Sequence, residues 1–301
     1  MKICFNGFWD GFIDKTDPMH VEFFLSLFTT VFTETCEIGT FENSEILVES
    51  VFGQYSFANA KKWKYSFLFS GESSQRFNRK HIYSLYNCVI CGEHNHDNIV
   101  CLPLYVFYMY CNHFEEKFHQ HLSVINVPPK NICCIIGNSG ANDRNTFLDK
   151  LDKEVQIDYA GSYKNNVPRI YPAYNTPEFV NLVSKYKIII TMENSKEDMY
   201  ITEKITHGFI AGNIPVYWGS DNIHDYFNKD RFINVENMSD SCINYTINRI
   251  KSILNDEDEY LNMVNSPIIV DENIIRSINN IAIDIRKCIG LLGSTVLSKK
   301  Y

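Results

Sequence analysis

Continuous apolar runs broken by polar loops and amphipathic stretches dominate the pattern of this chain. In its first part, "KICFNGF", "EILVESVFG", "KYSFLFSG" and "YNCVICG" read as strands, with apolar segments at 21–32 and "LPLYVFYMY" interspersed. Such alternation of strand-like and helix-like pieces predicts an α/β arrangement. The run at 21–32 is too short to span a bilayer and contains Glu22, so it predicts an amphipathic or buried helix. At 125–131, "INVPPKN" brings two prolines that stop a helix or strand and suit a linker. The expected domains are therefore 1–128 and 129–301.

Beyond that break, "ICCIIG" predicts a short buried strand entering the polar loop "NSGANDR" and a helix starting near "NTFLDKL". There follow "VQIDYAG", the helical "TPEFVNLVSKY", the strand "KIIITM", the polar "MENSKEDMYITEK", the helical "TEKITHGFIAG", the strand "IPVYW" and the loop "GSDNI". Strict alternation with continuously apolar strands predicts a parallel sheet covered on both faces. Ligands of such sheets sit beyond the carboxyl ends of the strands, where both polar loops fall. Ile201, Ile205 and Phe209, spaced i, i+4, i+8, mark a buried stripe, and Gly212 its stop. Glu203 and Lys204 then occupy the first helical turn. A helix N-terminus attracts phosphate, and a lysine there strengthens the attraction. Taken alone, the pair reads equally as a dipole-stabilising carboxylate beside a solvated lysine.

At 301 residues the chain can bury two cores of ordinary size. Its 28 Lys+Arg against 36 Asp+Glu, a formal charge of -8, argues against a general nucleic-acid or anionic-membrane binder, so phosphate affinity must be local. Most of the ten cysteines lie in apolar runs, where the reduced thiol acts as a small hydrophobe, which implies a reducing compartment. The sequons at Asn237 and Asn244 are then coincidental. Asn6 and Asp10 interrupt any apolar leader, and the expectation is a soluble cytoplasmic protein with no membrane span.

"MENSKEDMYITEKITHGFIAGNIPVYWGSDNIHDYF" resembles the signature of the alpha-1,3-fucosyltransferases (glycosyltransferase family 10), which run F-E-N-S, then Y-x-T-E-K, then I/V-P-V/I-Y-W/x-G. Similarity continues in "KICFNGFW", "ILVESVFG", "FLFSGES", "LPLYVFY" and the strand–loop–helix around Arg144, covering most of 1–235. The resemblance implies an α/β protein of the GT-B class, two Rossmann-like domains facing a central cleft. GDP-fucose would bind the C-terminal domain and the acceptor sugar the N-terminal one, with a final helix able to pack back on the first domain. By motif position it implies that Glu203 holds the ribose hydroxyls, Tyr200 and Lys204 the diphosphate region, Asn194 the loop and the sugar, and Arg144 the phosphates. Glu72, in the place of the Glu of the family's S/T-G-E motif, would be the base in an inverting transfer of fucose to a glycan hydroxyl, with a GlcNAc-containing acceptor oligosaccharide implied. Family members of the Golgi carry an N-terminal span, whereas here the first strand begins at Met1. That difference is the ground for expecting a bacterial or virus-infected cytoplasm.

Two departures stand out. Met192 replaces the family's Phe, and the Asn and Pro that usually follow the S/T-G-E Glu are absent after Glu72, which bears on the acceptor more than on the donor. His207, Gly208 and Phe209 also replace smaller positions. The bland alternative for Glu72 is a turn or cap carboxylate, and Glu49 in "ILVES" is then the next candidate base.

"CVICGEHNH" at 88–96 has zinc-like spacing, but its cysteines sit in an apolar strand; "NDEDEY" holds Asp256 and Asp258 in what reads as a solvated acidic face. No protein-held metal or tightly bound cofactor is expected; a divalent ion could stimulate without protein ligands. Another nucleotide sugar as donor, or a silent glycan-binding protein, are the alternatives, and intact Glu72, Arg144, Glu203 and Lys204 argue against silence.

Overall fold

A computed structural model of the chain describes residues 1–13, 18–75, 80–111, 118, 123–170, 177–269 and 277–292. It divides into two compact units, Met1–Cys111 with Ile275–Tyr301, and Asn112–Ile274. The first division falls before the proline pair that marks 128/129 in the sequence.

In the first unit, β1 (Lys2–Asn6), β2 (Glu37–Ile38), β3 (Ile46–Ser50), β4 (Tyr65–Ser70), β5 (Cys88–Cys91) and β6 (Ile99–Cys101) form one sheet in the order β2-β1-β3-β4-β5-β6. Every ladder in it is parallel. Parallel neighbours need crossovers, and α1 (Pro18–Phe32) is one of them, burying Phe24, Leu27 and Phe28 completely. Aromatic rings extend this packing: Phe8 stacks on Phe12 at 3.9 Å, and Phe24 meets Phe69 edge-on at 5.0 Å. "LPLYVFYMY" yields α2 (Leu104–Cys111), also buried over most of its length.

The second unit holds β7 (Lys130–Cys134), β8 (Ile157–Tyr159), β9 (Tyr186–Ile190), β10 (Ile214–Tyr217) and β11 (Ile233–Asn234), in the order β11-β10-β9-β7-β8 and again all parallel. Helices among its described residues include α3 (Asn142–Leu151), α4 (Pro177–Val183), α5 (Glu203–Ile210), α6 (Asp240–Asn255) and α7 (Glu257–Val264). The side-chain period of two on a strand sends Ile188 and Ile190 into a core with Phe147 and Leu148 of α3 and Ile243 and Ile250 of α6. Ile189, between them, packs with Phe179 and Val183 of α4. Both faces are thus covered, as the continuous apolar strands require. The chain leaves β7 for β8 on one side and returns past it to β9 on the other, so β7 and β9 flank a topological switch point, the usual ligand position in such sheets.

The last described helix, α8 (Ile278–Cys288), belongs to the first unit, where it packs on α1 and beside β6. Among the described residues no helix is long and apolar enough to cross a membrane.

Candidate active site

The carboxyl ends of β7, β9 and β10 each open into a polar segment, and each segment delivers a buried polar atom that has no protein partner. These are Nε of Arg144 after β7, Oδ1 of Asn194 after β9 and Nε1 of Trp218 after β10. Buried polar groups are normally satisfied, so two orphan donors and one orphan acceptor on three adjacent strands mark a place built to meet another molecule.

Arg144 lies in the first turn of α3 and is 2 % exposed. One end of its guanidinium donates through Nη2 to the carbonyl of Asn138 in the preceding loop. Burial pushes its pKa below the usual guanidinium range, opposed by the charges of Cys134, Glu193, Tyr163 and Tyr200. The N-cap of α3 is Ala141, which offers no side-chain acceptor, so the helix mouth beside Arg144 keeps uncapped N–H groups. At α5 the cap is present: Thr202 accepts from the backbone N–H of Lys204. Of the two helix mouths, the one at Arg144 is therefore the better prepared for an anion.

The loop between β9 and α5 is organised by a residue to which the sequence reading gave no role. Glu193 is completely buried, and its carboxylate accepts from the Thr202 N–H at 2.8 Å, from the Thr202 hydroxyl at 2.8 Å and 2.9 Å, and from Lys204 Nζ at 2.9 Å. Its own N–H donates to the Trp218 carbonyl at 2.7 Å, tying the loop to the end of β10. A Cβ on Gly219 would fall 2.7 Å from Glu193 Cγ and 2.4 Å from the Tyr217 hydroxyl, so only glycine leaves this carboxylate its room. The available signal was its place as the acid of the F-E-N-S signature, directly after the apolar strand and Met192.

Lys204 Nζ also donates to Thr202 Oγ1 at 2.8 Å and stands 3.7 Å from Glu203 Oε1, with its side chain 30 % exposed. Burial alone would lower its pKa, but Glu193 and Glu203 hold it well above the ordinary lysine value, so it is an ammonium. Glu203 is 20 % exposed. Its burial favours protonation, yet Lys204 and His207 outweigh that and keep it below the usual carboxylate range. Glu193 is pushed up by burial. Tyr200 is buried and follows Met199, whose φ of 60° is left-handed and is held by an N–H donated to Ser220 Oγ at 3.0 Å. Non-glycine residues rarely adopt that region without a functional or packing constraint.

Arg144, Asn194, Tyr200, Glu203 and Lys204 thus all fall within the second unit, on segments leaving the carboxyl edge of its sheet. Glu72 belongs to the first unit, half-buried just past β4, where Ser70 Oγ donates to its carbonyl at 3.4 Å. Glu49, at the end of β3, is fully buried, and both of its oxygens are engaged. Among the described residues no three of His, Cys, Asp and Glu cluster as metal ligands. Cys88 and Cys91 are buried in β5 while His94 and His96 are exposed, and Asp256 is the N-cap of α7, accepting from Glu259 N at 2.9 Å.

Residues 126–265 match the family described as Glycosyltransferase family 10 (fucosyltransferase) C-term. This segment, most of the second unit, resembles the C-terminal part of that family. It holds all of the site residues just placed in the second unit. An alpha-(1,3)-fucosyltransferase of Helicobacter pylori is 29% identical over 158 residues, covering 50% of this chain and 31% of that protein. A protein of Acanthamoeba polyphaga mimivirus named as a candidate fucosyltransferase is 24% identical over 259 residues, 83% of this chain and 41% of its own length. The chain therefore spans well under half the length of these relatives. A crystal structure of an alpha1,3-fucosyltransferase with GDP-fucose superposes over 100% of this chain and 93% of its own with a TM-score of 0.68 at 18% identity. That likeness shows the fold: two parallel-sheet α/β domains of the GT-B class.

Proposed function

We propose that this chain is an inverting alpha-1,3-type fucosyltransferase that takes fucose from GDP-fucose to a hydroxyl of an acceptor glycan. The observation that carries this is that the segments leaving three adjacent strands of the second sheet carry Arg144, Asn194 and Trp218, each with an unpartnered buried atom, and that the β9 segment leads to the cation Lys204. Support comes from the family 10 match at 126–265 and from the GDP-fucose in the crystal structure of similar fold.

In this reading the second unit is the donor domain. The uncapped mouth of α3, the Arg144 guanidinium and the Lys204 ammonium receive the diphosphate, the guanidinium through paired N–H donors and the ammonium as a point charge. Glu203, kept ionised, accepts hydrogen bonds from ribose hydroxyls, Tyr200 lies against the diphosphate region and Asn194 meets the sugar. The first unit is the acceptor domain. Glu72 removes the proton of the acceptor hydroxyl as its oxygen bonds to the anomeric carbon; the carbon–oxygen bond to phosphate breaks, and the electron pair leaves on GDP. Developing negative charge on the diphosphate is what preorganised cations stabilise most. A positioned base typically adds about 10²–10⁴-fold in rate. The reaction needs no protein-ligated metal for this charge balance, and a divalent ion bound with the nucleotide would add to it.

Calorimetric titration with GDP, UDP and ADP, each alone and as its sugar conjugate, tests the donor. Preference for GDP and GDP-fucose is expected; a preference for UDP, or no nucleotide binding, would overturn the assignment.

A further inference from the structure

We propose that Glu193 is a positioning residue for the diphosphate clamp: its buried carboxylate fixes the Lys204 ammonium at the point where it meets the phosphates. The proposal rests on the donor reading above and names what makes that reading's cation effective.

The geometry is asymmetric. Glu193 is 0% exposed, while the Lys204 side chain is 30% exposed, so the anion lies beneath and the cation reaches from it toward the surface. Burying a carboxylate is costly unless it is paired and hydrogen-bonded. Here its oxygens are taken by the Thr202 N–H, the Thr202 hydroxyl and Lys204 Nζ, all at 2.8–2.9 Å. The Thr202 hydroxyl in turn accepts from Lys204 Nζ at 2.8 Å, closing a three-membered network. A neutral acceptor would hold the Thr202 N–H just as well. Only a charge is matched to the ammonium.

The consequence for the lysine is conformational. A free lysine samples many rotamers, and ordering it on binding reduces affinity. With two of its three N–H donors tied to Glu193 and Thr202, the ammonium is placed in advance, leaving one donor for a ligand oxygen. Electrostatics agree, since the Glu193 carboxylate acts on Arg144 as well as on Lys204. The room for this anion depends on Gly219, whose Cβ would stand 2.7 Å from Glu193 Cγ. A bridging carboxylate that merely held the loop would not need to reach the ammonium.

The test compares GDP with guanosine, which lacks the diphosphate, by calorimetry on the wild type, Glu193→Gln, Lys204→Met and the double variant. In Glu193→Gln the ratio of GDP to guanosine affinity should fall about tenfold or more, with guanosine affinity preserved within about twofold. On the Lys204→Met background the same change should leave the ratio alone, because the two residues act as one unit. An unchanged ratio in Glu193→Gln, or equal losses for GDP and guanosine, would overturn the proposal while leaving the donor reading intact. No binding of GDP by the wild type would overturn both. Should Glu193→Gln fail to fold, Glu193→Asp, which draws the charge back by one methylene, is measured in the same way, and a full wild-type ratio there overturns the proposal.

Discussion

Tyr86 donates its hydroxyl to Glu49 Oε2 at 2.8 Å, joining the segment before β5 to the end of β3. Asn6 Nδ2 donates to the other oxygen at 2.5 Å, from the position directly across the β1–β3 ladder, and the Phe57 N–H adds a third bond at 3.3 Å. Burial and the nearby carboxylate push the Tyr86 phenol well above its ordinary pKa. So saturated a carboxylate ties the three segments together. Tyr86→Phe should lower unfolding stability by roughly 1–3 kcal/mol, the usual cost of leaving a buried acceptor short of a partner. Urea melts check this, and transfer per folded molecule should be unchanged.

Glu72 is half-buried on a loop past β4. Glu72→Gln keeps shape and removes basicity. We expect turnover to fall by about 10²–10⁴-fold with GDP-fucose affinity nearly unchanged. A folded variant that keeps most of its transfer rate would place the base elsewhere.

Arg144 should trade stability for binding. Its Nε is buried without a partner, and buried charge that is incompletely satisfied is often replaced by apolar groups at no cost to stability. Arg144→Met is therefore expected to weaken GDP by about 1–3 kcal/mol while leaving the melting temperature equal or higher. Calorimetry and a thermal melt on the same sample measure both; a marked drop in melting temperature would make Arg144 a structural residue.

His207 offers a pH signature. It lies in α5 one turn beyond Glu203, is 5% exposed and packs edge-on against Phe179 at 5.5 Å. Burial drives its pKa down from 6.5 to about 4, with Glu203 pulling upward and Lys204 downward. Between those values the unfolded chain takes up a proton that the folded chain refuses, so the stability of the neutral form is complete above pH 6.5 and is lost as pH falls toward 4. Glu193, pushed up, works in the other direction, so the informative quantity is a difference between variants. His207→Leu should gain on the wild type in melting temperature as pH falls from about 7 to about 5. Parallel curves would contradict the assignment.

The alternation of apolar runs and polar loops was enough to read two α/β halves and the parallel second sheet, because buried parallel strands must be apolar on both faces. Ile201, Ile205 and Phe209 are all fully buried as their spacing requires, and Gly212 follows α5 with a positive φ of 74°. What the pattern could not carry was long-range. Nothing local in "INNIAIDIRKC" says that α8 joins the first unit, since an amphipathic helix reports that it is covered but not by what. Glu193 was given no role for the same reason. Its partners Thr202 and Lys204 lie nine and eleven residues away, and the glycine that admits it comes from the next strand. A cap at α5 and the lack of one at α3 were equally invisible before the loops were placed.

Because α8 rests on α1, the unit that begins first is finished last. Synthesis delivers residues 1–111, then the whole of the second unit, and only afterwards the helix that covers α1. At roughly 5–20 residues per second the first sheet waits several seconds or more for Ile281 and Ile285, both fully buried in the finished protein. For that interval the nascent chain carries α1 without the helix that packs on it. A chain stopped after Val264 would lack Ile281 and Ile285 and would keep α1 in that condition for good.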